Sequence, residues 1–294
     1  MNPHIVLYSL VFLMVLCWSG NYVAAKIVFR EIPSVLVMAL RTMVSGALML
    51  AIFATQKEKP IKNRTRRELG LLIALGLFGI TLNQLFWTLG VARTTVVHSS
   101  MIMATTPVWV LLIAGLIGLE RITPPKLGGM ALAMSGVAML QLFKSQSANR
   151  APTLLGDFFV LLCALIFAAM TAFGKRHKPL SGGIAVNAVG YVGGLLVFLP
   201  VLWLAGRGFE FSKVTTAAWL GILYMGAMSS VTGYLIYYYA LARMSASRIA
   251  AFQYLQPVFA TLMAVFMLGE ELTAPLIAAG GVIIAGVYIT ERFA

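Results

Sequence analysis

Long apolar stretches alternate along the chain with short polar ones, and the apolar stretches are close to one length. Ten recur, at approximately 5–25, 33–54, 69–89, 95–118, 126–143, 154–173, 184–205, 216–240, 248–268 and 273–290. A run of about 20 apolar residues coils into a helix long enough to cross a hydrocarbon core of roughly 30 Å. The pattern therefore predicts an all-α integral membrane protein of ten transmembrane helices, with little chain left over. The first run carries polar residues at its end, and no small-x-small cleavage site follows a short apolar core. It is expected to stay as the first span and not to be removed as a signal peptide.

Polar residues inside these runs are the exceptions that need a reason, because polar groups in lipid are costly unless something uses them. In "LCWSGNYVAAKIVF" (16–29), Trp18, Asn21, Tyr22 and Ala25 fall at i, i+3, i+4 and i+7 and share one helix face. That face is either the wall of a cavity or a packing seam in which Ser19 and Gly20 let a neighbouring helix approach. In the third run, Thr81, Gln84 and Thr88 share a face, with Asn83 and Trp87 on an adjacent one. The fourth and ninth runs carry Pro107 and Pro257, which remove the amides that would bond the carbonyls of Met103 and Gln253. Broken helices are tolerated at membrane depth where they face protein or a water-filled cavity. Ser99, Ser100, Thr105 and Thr106 surround the first break; Gln253, Tyr254 and Gln256 surround the second.

A shift of 150 residues aligns long parts of the two halves without a gap. It pairs Arg93 with Arg243, Pro107 with Pro257, Glu120 with Glu270, Pro125 with Pro275 and Gly136 with Gly286. The same shift carries Gln84, Trp87 and Thr88 onto Tyr234, Tyr237 and Tyr238. An N-terminal unit (1–143), a polar linker "KSQSANRAPT" (144–153) and a C-terminal unit (154–294) follow, with five spans to each unit. Because five is odd, the second unit must enter the membrane from the opposite side. The halves are then expected to be related by a pseudo-two-fold axis in the membrane plane, around a central cavity. That is an architecture of secondary transporters, with the substrate near the midplane and alternating access by rocking of the halves.

Composition agrees with lipid as solvent: the chain is 60% hydrophobic and 11% charged, against about 45–50% and about 25% in soluble domains. The net charge of +13 lies between the apolar runs, not on one basic face of the kind nucleic acid needs. Of the 22 Lys and Arg, fourteen fall on the side of the two termini, seven on the other, and Arg41 inside the second span. The positive-inside rule then puts both termini in the cytoplasm. Cys17 and Cys163 sit within spans and read as buried thiols, and no disulfide or metal site is expected.

No carboxylate lies mid-span: Glu120 and Glu270 fall at helix ends and Asp157 near the start of the sixth span. Arg41 is the one cation well inside a span, placed either to hold a substrate carboxylate or to snorkel and cap carbonyls. A phosphorylated substrate would call for several such cations. His4, His98 and His177 are far apart, with no HExxH and no compact His/Asp/Glu cluster, so nothing points to an enzyme, a cofactor or a metal.

Several motifs in order resemble one family. They are "CWSGNYVAAK" in the first span, Arg41 in the second, Pro107 followed by "GLERIT", "GD" at 156–157, and Pro257 followed by "LGEELT". The chain is similar to EamA-type members of the drug/metabolite transporter superfamily over essentially its whole length. It departs from them at "FAAMTAFGK" (167–175), which lacks a tryptophan often found there. The resemblance implies ten helices in two inverted five-helix repeats, and efflux of amino acids and other metabolites. The expected substrate-binding residues are Trp18, Asn21, Tyr22, Arg41, Gln84, Trp87, Ser100, Met103, Tyr234, Tyr237, Tyr238, Gln253 and Gln256. Pro107, Pro257, Glu120 and Glu270 are expected helix-break or gating residues.

The expected function is secondary export of small metabolites such as neutral or aromatic amino acids. The alternative is a proton-coupled exporter of drugs, which needs Glu120, Glu270 or Asp157 to titrate; a membrane-embedded enzyme or a scaffold ranks below both. The expected partners are a small-molecule substrate and the bilayer, with no nucleic acid, and the chain is expected to be a monomer or homodimer. The expected location is the plasma membrane, the inner membrane of a bacterium.

Overall fold

The computed structural model describes residues 3–56, 65–94, 96–143, 153–177, 183–268 and 273–293. The linker apart from Thr153, and Glu270, lie outside them, as do the side chains of His98 and Ser100. Among the described residues the chain is helical and has no strand. In order it forms α1 (Pro3–Val28), α2 (Ser34–Thr55), α3 (Arg66–Gly76), α4 (Asn83–Val91), α5 (Val96–Met103), α6 (Thr106–Leu116) and α7 (Pro124–Phe143). There follow α8 (Leu154–Arg176), α9 (Gly183–Gly206), α10 (Thr216–Tyr224), α11 (Gly233–Leu241), α12 (Ala246–Ala251), α13 (Leu255–Leu268) and α14 (Ala274–Arg292).

Six helical rods among the described residues are long and apolar enough to cross a membrane: α1, α2, Arg66–Val91, α8, α9 and Thr216–Leu241. Met101–Leu116 is a shorter apolar helix. The fourth and ninth apolar runs are not continuous helices, because each breaks beside its proline. Thr105 turns back to the carbonyl of Ile102 ahead of Pro107, and a 3-10 turn, Phe252–Tyr254, precedes Pro257. The surface is apolar and the interior partly polar. Phe78, Leu116, Leu154, Leu196, Trp203 and Phe266 are exposed, whereas Ser19, Arg41, Asn83, Gln84 and Asn187 are buried. Arg207 lies over the ring of Trp203 and Arg243 over that of Tyr239, at 3.4 and 3.5 Å. Aromatic and basic pairs of this kind suit the boundary between hydrocarbon and water.

Local features recur 150 residues apart. The rods Arg66–Val91 and Thr216–Leu241 each loosen into a π-helical turn, at Leu77–Leu82 and at Met225–Thr232. Thr65 and Thr215 both act as N-caps. Thr65 forms a capping box in which its hydroxyl accepts from Glu68 N and the Glu68 carboxylate accepts from Thr65 N. The position equivalent to Glu68 is Ala218, which cannot return the bond. Glu31, in the loop after α1, supplies the carboxylate instead, accepting from the amide and the hydroxyl of Thr215 at 2.8 Å each. Those two bonds hold the Glu31 carboxyl below the usual carboxylate range.

The tightest crossing joins α7 to α14 through small residues. A Cβ on Gly136 would meet Ala279 O at 3.0 Å and Ile283 N at 2.8 Å. Shifted by 150, those partners become Gly286 and Gly129, and a Cβ on Gly286 would meet Gly129 O at 2.6 Å and Ala133 N at 2.4 Å. Gly129 and Gly136 on α7 and Ala279 and Gly286 on α14 thus face one another and bring the two backbones into contact, with Ile283 standing where α7 has Ala133.

At one end of the bundle Glu120, just after α6, reaches across to the start of α12. Its Oε1 accepts from the amides of Ala246 and Ser247 at 2.5 and 3.2 Å, and its Oε2 accepts from the Ser247 hydroxyl. Lys126 stands 3.4 Å from the same carboxylate. Nearby, Lys175 donates to the carbonyls of Leu241 and Met244, and Arg248 pairs with Glu291 at 3.4 Å.

Gly286→Ala is expected to force α7 and α14 apart and cost about 1–3 kcal/mol, the usual penalty of overpacking. Gly281→Ala, which meets nothing within 4 Å, should leave the melting temperature in detergent unchanged. Equal melting temperatures for the two variants would show that the seam does not bind the helices together.

Candidate functional site

Between these helices lies a cavity of about 70 Å³. Its wall is assembled from eight pieces of chain. α1 gives Trp18, Asn21 and Tyr22; α2 gives Arg41; α4 gives Asn83, Gln84 and Trp87; and α5 gives Met103. α8 adds Cys163 and Phe167, the second π turn Ser229, and α11 Tyr234. Gln253 and Gln256 come from the broken helix around Pro257.

The helical breaks explain why polar side chains gather here. A π turn leaves backbone carbonyls without their usual i+4 partner, and in hydrocarbon each such group needs another donor. Trp18 Nε1 donates to Ser229 O at 3.0 Å and Tyr191 Oη to Ser230 O at 3.0 Å, both in the second π turn. Ser19 shares its hydroxyl proton between Val15 O on its own helix and Gln256 O, at 2.7 and 3.1 Å. Ser19 thus ties α1 to the broken ninth run.

A second set of bonds fixes the wall itself. Asn83 donates from Nδ2 to Cys163 O at 2.7 Å, and its Oδ1 accepts from Tyr234 Oη at 3.2 Å. Gln84 Nε2 donates to Tyr191 Oη at 2.6 Å. Arg41 is buried, donating from Nε to Ser230 Oγ at 2.9 Å and more weakly from Nη2 to Ser229 Oγ at 3.5 Å. Its guanidinium also stands 5.7 Å from the Trp87 ring centre, an attractive geometry for a cation and an indole. Trp18 packs edge-on to Phe167 and Tyr234 at 5.8 and 5.6 Å, and Tyr22 edge-on to Trp87 at 5.9 Å. The result is a box with aromatic sides and, among the described residues, one cation, several amides and no carboxylate in its wall.

Ten of the residues expected from the sequence stand together in this wall: Trp18, Asn21, Tyr22, Arg41, Gln84, Trp87, Met103, Tyr234, Gln253 and Gln256. Tyr237 and Tyr238 do not. The Tyr237 hydroxyl bonds Thr171 on α8 and its ring leans on Trp18 from behind. Tyr238 packs against Gly174 and Gly183, between α8 and α9. Sharing a helix face with Tyr234 was not enough, because that face is broad and α8 covers its lower part. The sequence reading missed Asn83, Cys163, Phe167 and Ser229 as wall residues. Cys163 and Phe167 are four apart and so share a face, as do Asn83 and Trp87, which was the available signal; Ser229 lies within a π turn, which periodicity at 3.6 residues does not detect.

The profile of the EamA-like transporter family matches residues 6–142 and 154–292. The chain belongs to this family of membrane transporters, a branch of the drug/metabolite transporter superfamily. An uncharacterized transporter of Archaeoglobus fulgidus is 28% identical, with 96% of each chain covered. A probable terminal-alkyne amino-acid exporter of Streptantibioticus cattleyicolor is 27% identical over 95% of this chain and 91% of that protein. A probable amino-acid metabolite efflux pump of Salmonella typhimurium is 26% identical over 95% of this chain and 93% of the pump. A solved crystal structure superposes with a TM-score of 0.80 at 18% identity, covering 98% of this chain and 97% of that one. That last likeness shows the fold alone.

Asn83→Leu would leave Tyr234 Oη and Cys163 O buried without their partner. Each orphaned group costs about 1–3 kcal/mol, so a clear fall in melting temperature is expected. An unchanged melting curve would mean that Asn83 does not brace the wall.

Proposed function

We propose that this transporter exports small metabolites, neutral and aromatic amino acids first among them, by alternating access through the cavity between its halves. The observation that carries the reading is the wall itself: aromatic rings, buried amides and one guanidinium, with no acid among the described residues. The names of the Streptantibioticus and Salmonella relatives, an amino-acid exporter and an amino-acid metabolite efflux pump, point the same way.

In this reading the chain has ten spans in two five-span units, 1–143 and 154–294, joined by 144–153, in the plasma membrane with both termini cytoplasmic. The facing small residues of α7 and α14, and the paired π turns, support a pseudo-two-fold relation between the units. The thirteen expected binding residues remain the proposed site, with Tyr237 and Tyr238 acting through the rings in front of them and Ser100 lying on α5. The breaks at Pro107 and Pro257 give the cavity its polar lining. Glu120 is the proposed gate at the cytoplasmic end, clamped on α12, and Glu270 its counterpart on the outer side.

The test is flux of labelled Phe, Trp, Leu and Thr in liposomes, with and without a pH gradient, beside an Asn21→Ala variant checked for folding. Saturable flux that the variant loses is expected. Failure of all four, with an organic cation moving only under the gradient, would hand the role to proton-coupled drug export. For the gate, Glu120→Ala should speed hydrogen exchange across 246–251, whose first amides it holds, while α7 and α14 stay protected. No change in that segment would remove Glu120 as the clamp.

A further inference from the structure

The cavity wall separates into groups whose hydrogen bonds are complete and groups with capacity to spare. Trp18, Asn83 and Tyr234 spend their polar atoms on the protein. Asn21 Oδ1, Gln84 Oε1 and Gln253 Nε2 are buried with no partner, and each of these residues is nine-tenths or more buried. Buried polar atoms are nearly always satisfied, so each exception needs a reason. Arg41 belongs with them: of its five N–H donors, two are used, on the serine hydroxyls. Among the described residues it makes no ion pair.

The polarity of Gln84 follows from its neighbours. Tyr191 gives its only proton to Ser230 O, so its oxygen must accept, and the Gln84 amide must turn its NH2 towards it. Oε1 of Gln84 is left as a free acceptor. Ser230 likewise gives its proton to Met225 O at 2.8 Å and must accept from Arg41. What remains for a ligand is a donor set, the guanidinium and Gln253 Nε2, and an acceptor set, Asn21 Oδ1 and Gln84 Oε1.

Resting on the transport reading of this cavity, we infer that it recognises a zwitterion by both charges. The substrate carboxylate binds Arg41 and Gln253, its ammonium binds the carbonyl oxygens of Asn21 and Gln84, and its side chain lies among the rings. A lone organic cation meets the same acceptors but leaves the buried guanidinium without an anion. The site therefore discriminates against amines that lack a carboxylate. Sites built to bond a substrate group reject analogues without it far more strongly than apolar pockets reject a missing methylene.

The test is calorimetric binding to the purified full chain of three compounds with one ring: L-phenylalanine, phenethylamine and 3-phenylpropionate. Phenylalanine is expected to bind best, with phenethylamine weaker by about tenfold or more, the scale of a lost charge-assisted bond. Arg41→Gln should erase the preference for phenylalanine over phenethylamine, and Arg41→Lys should keep part of it. Gln84→Glu should shift the preference towards the amine. Phenethylamine binding the unmodified protein as tightly as phenylalanine would overturn the inference while leaving the cavity as the site, and that comparison needs no variant to fold. If none of the three binds, the amino-acid reading fails and this inference falls with it.

Discussion

A backbone carbonyl freed from its helix inside hydrocarbon must find another donor, and the centre of this protein is organised around that constraint. The second π turn presents the carbonyls of Ser229 and Ser230 to neighbouring helices, and the break before Pro257 leaves that of Gln256 within reach of one. The donors that meet them, Trp18, Tyr191 and Ser19, come from other helices. Each irregular turn therefore joins separate elements, and the polar side chains recruited for backbone repair become the wall of a cavity. Lining and architecture have one cause.

The outline was legible in the sequence because lipid imposes a strong length rule and a strong penalty on polar groups. Among the described residues the apolar runs are mostly helix, the fourth and ninth with a break, and Asn21, Arg41, Gln84 and Gln253 stood out because each interrupts hydrophobic sequence. The π turns were not legible, since a single inserted residue per turn leaves composition unchanged. It rotates the whole of the helix that follows, Asn83 and Gln84 together. Tyr237 and Tyr238 stand behind the wall for a related reason: periodicity gives the face of a helix but not the neighbour that covers it. Glu120 was recognisable as a helix-end acid, but its hold on the amides of Ala246 and Ser247 spans 126 residues of sequence, a relation that no local pattern contains.

The wall's chemistry connects to the proposed cycle through Arg41. In the structure described here its guanidinium rests on the two hydroxyls of the second π turn, and one of these hydroxyls also bonds that turn's own backbone. An anion that drew the guanidinium away would change the hydrogen bonding of the two π-turn serines. Occupancy and the shape of the rod Thr216–Leu241 are thereby linked by a short chain of named bonds.

The loan of a carboxylate by Glu31 to the start of α10 makes the two halves mechanically unequal. The start of α3 is closed by its own Glu68, one turn along the same helix. The start of α10 is lashed to the loop at the end of α1, so those two rods share a pivot at that face. Two equivalent helix starts are thus closed by different means, one within its own helix and the other across to a neighbouring element.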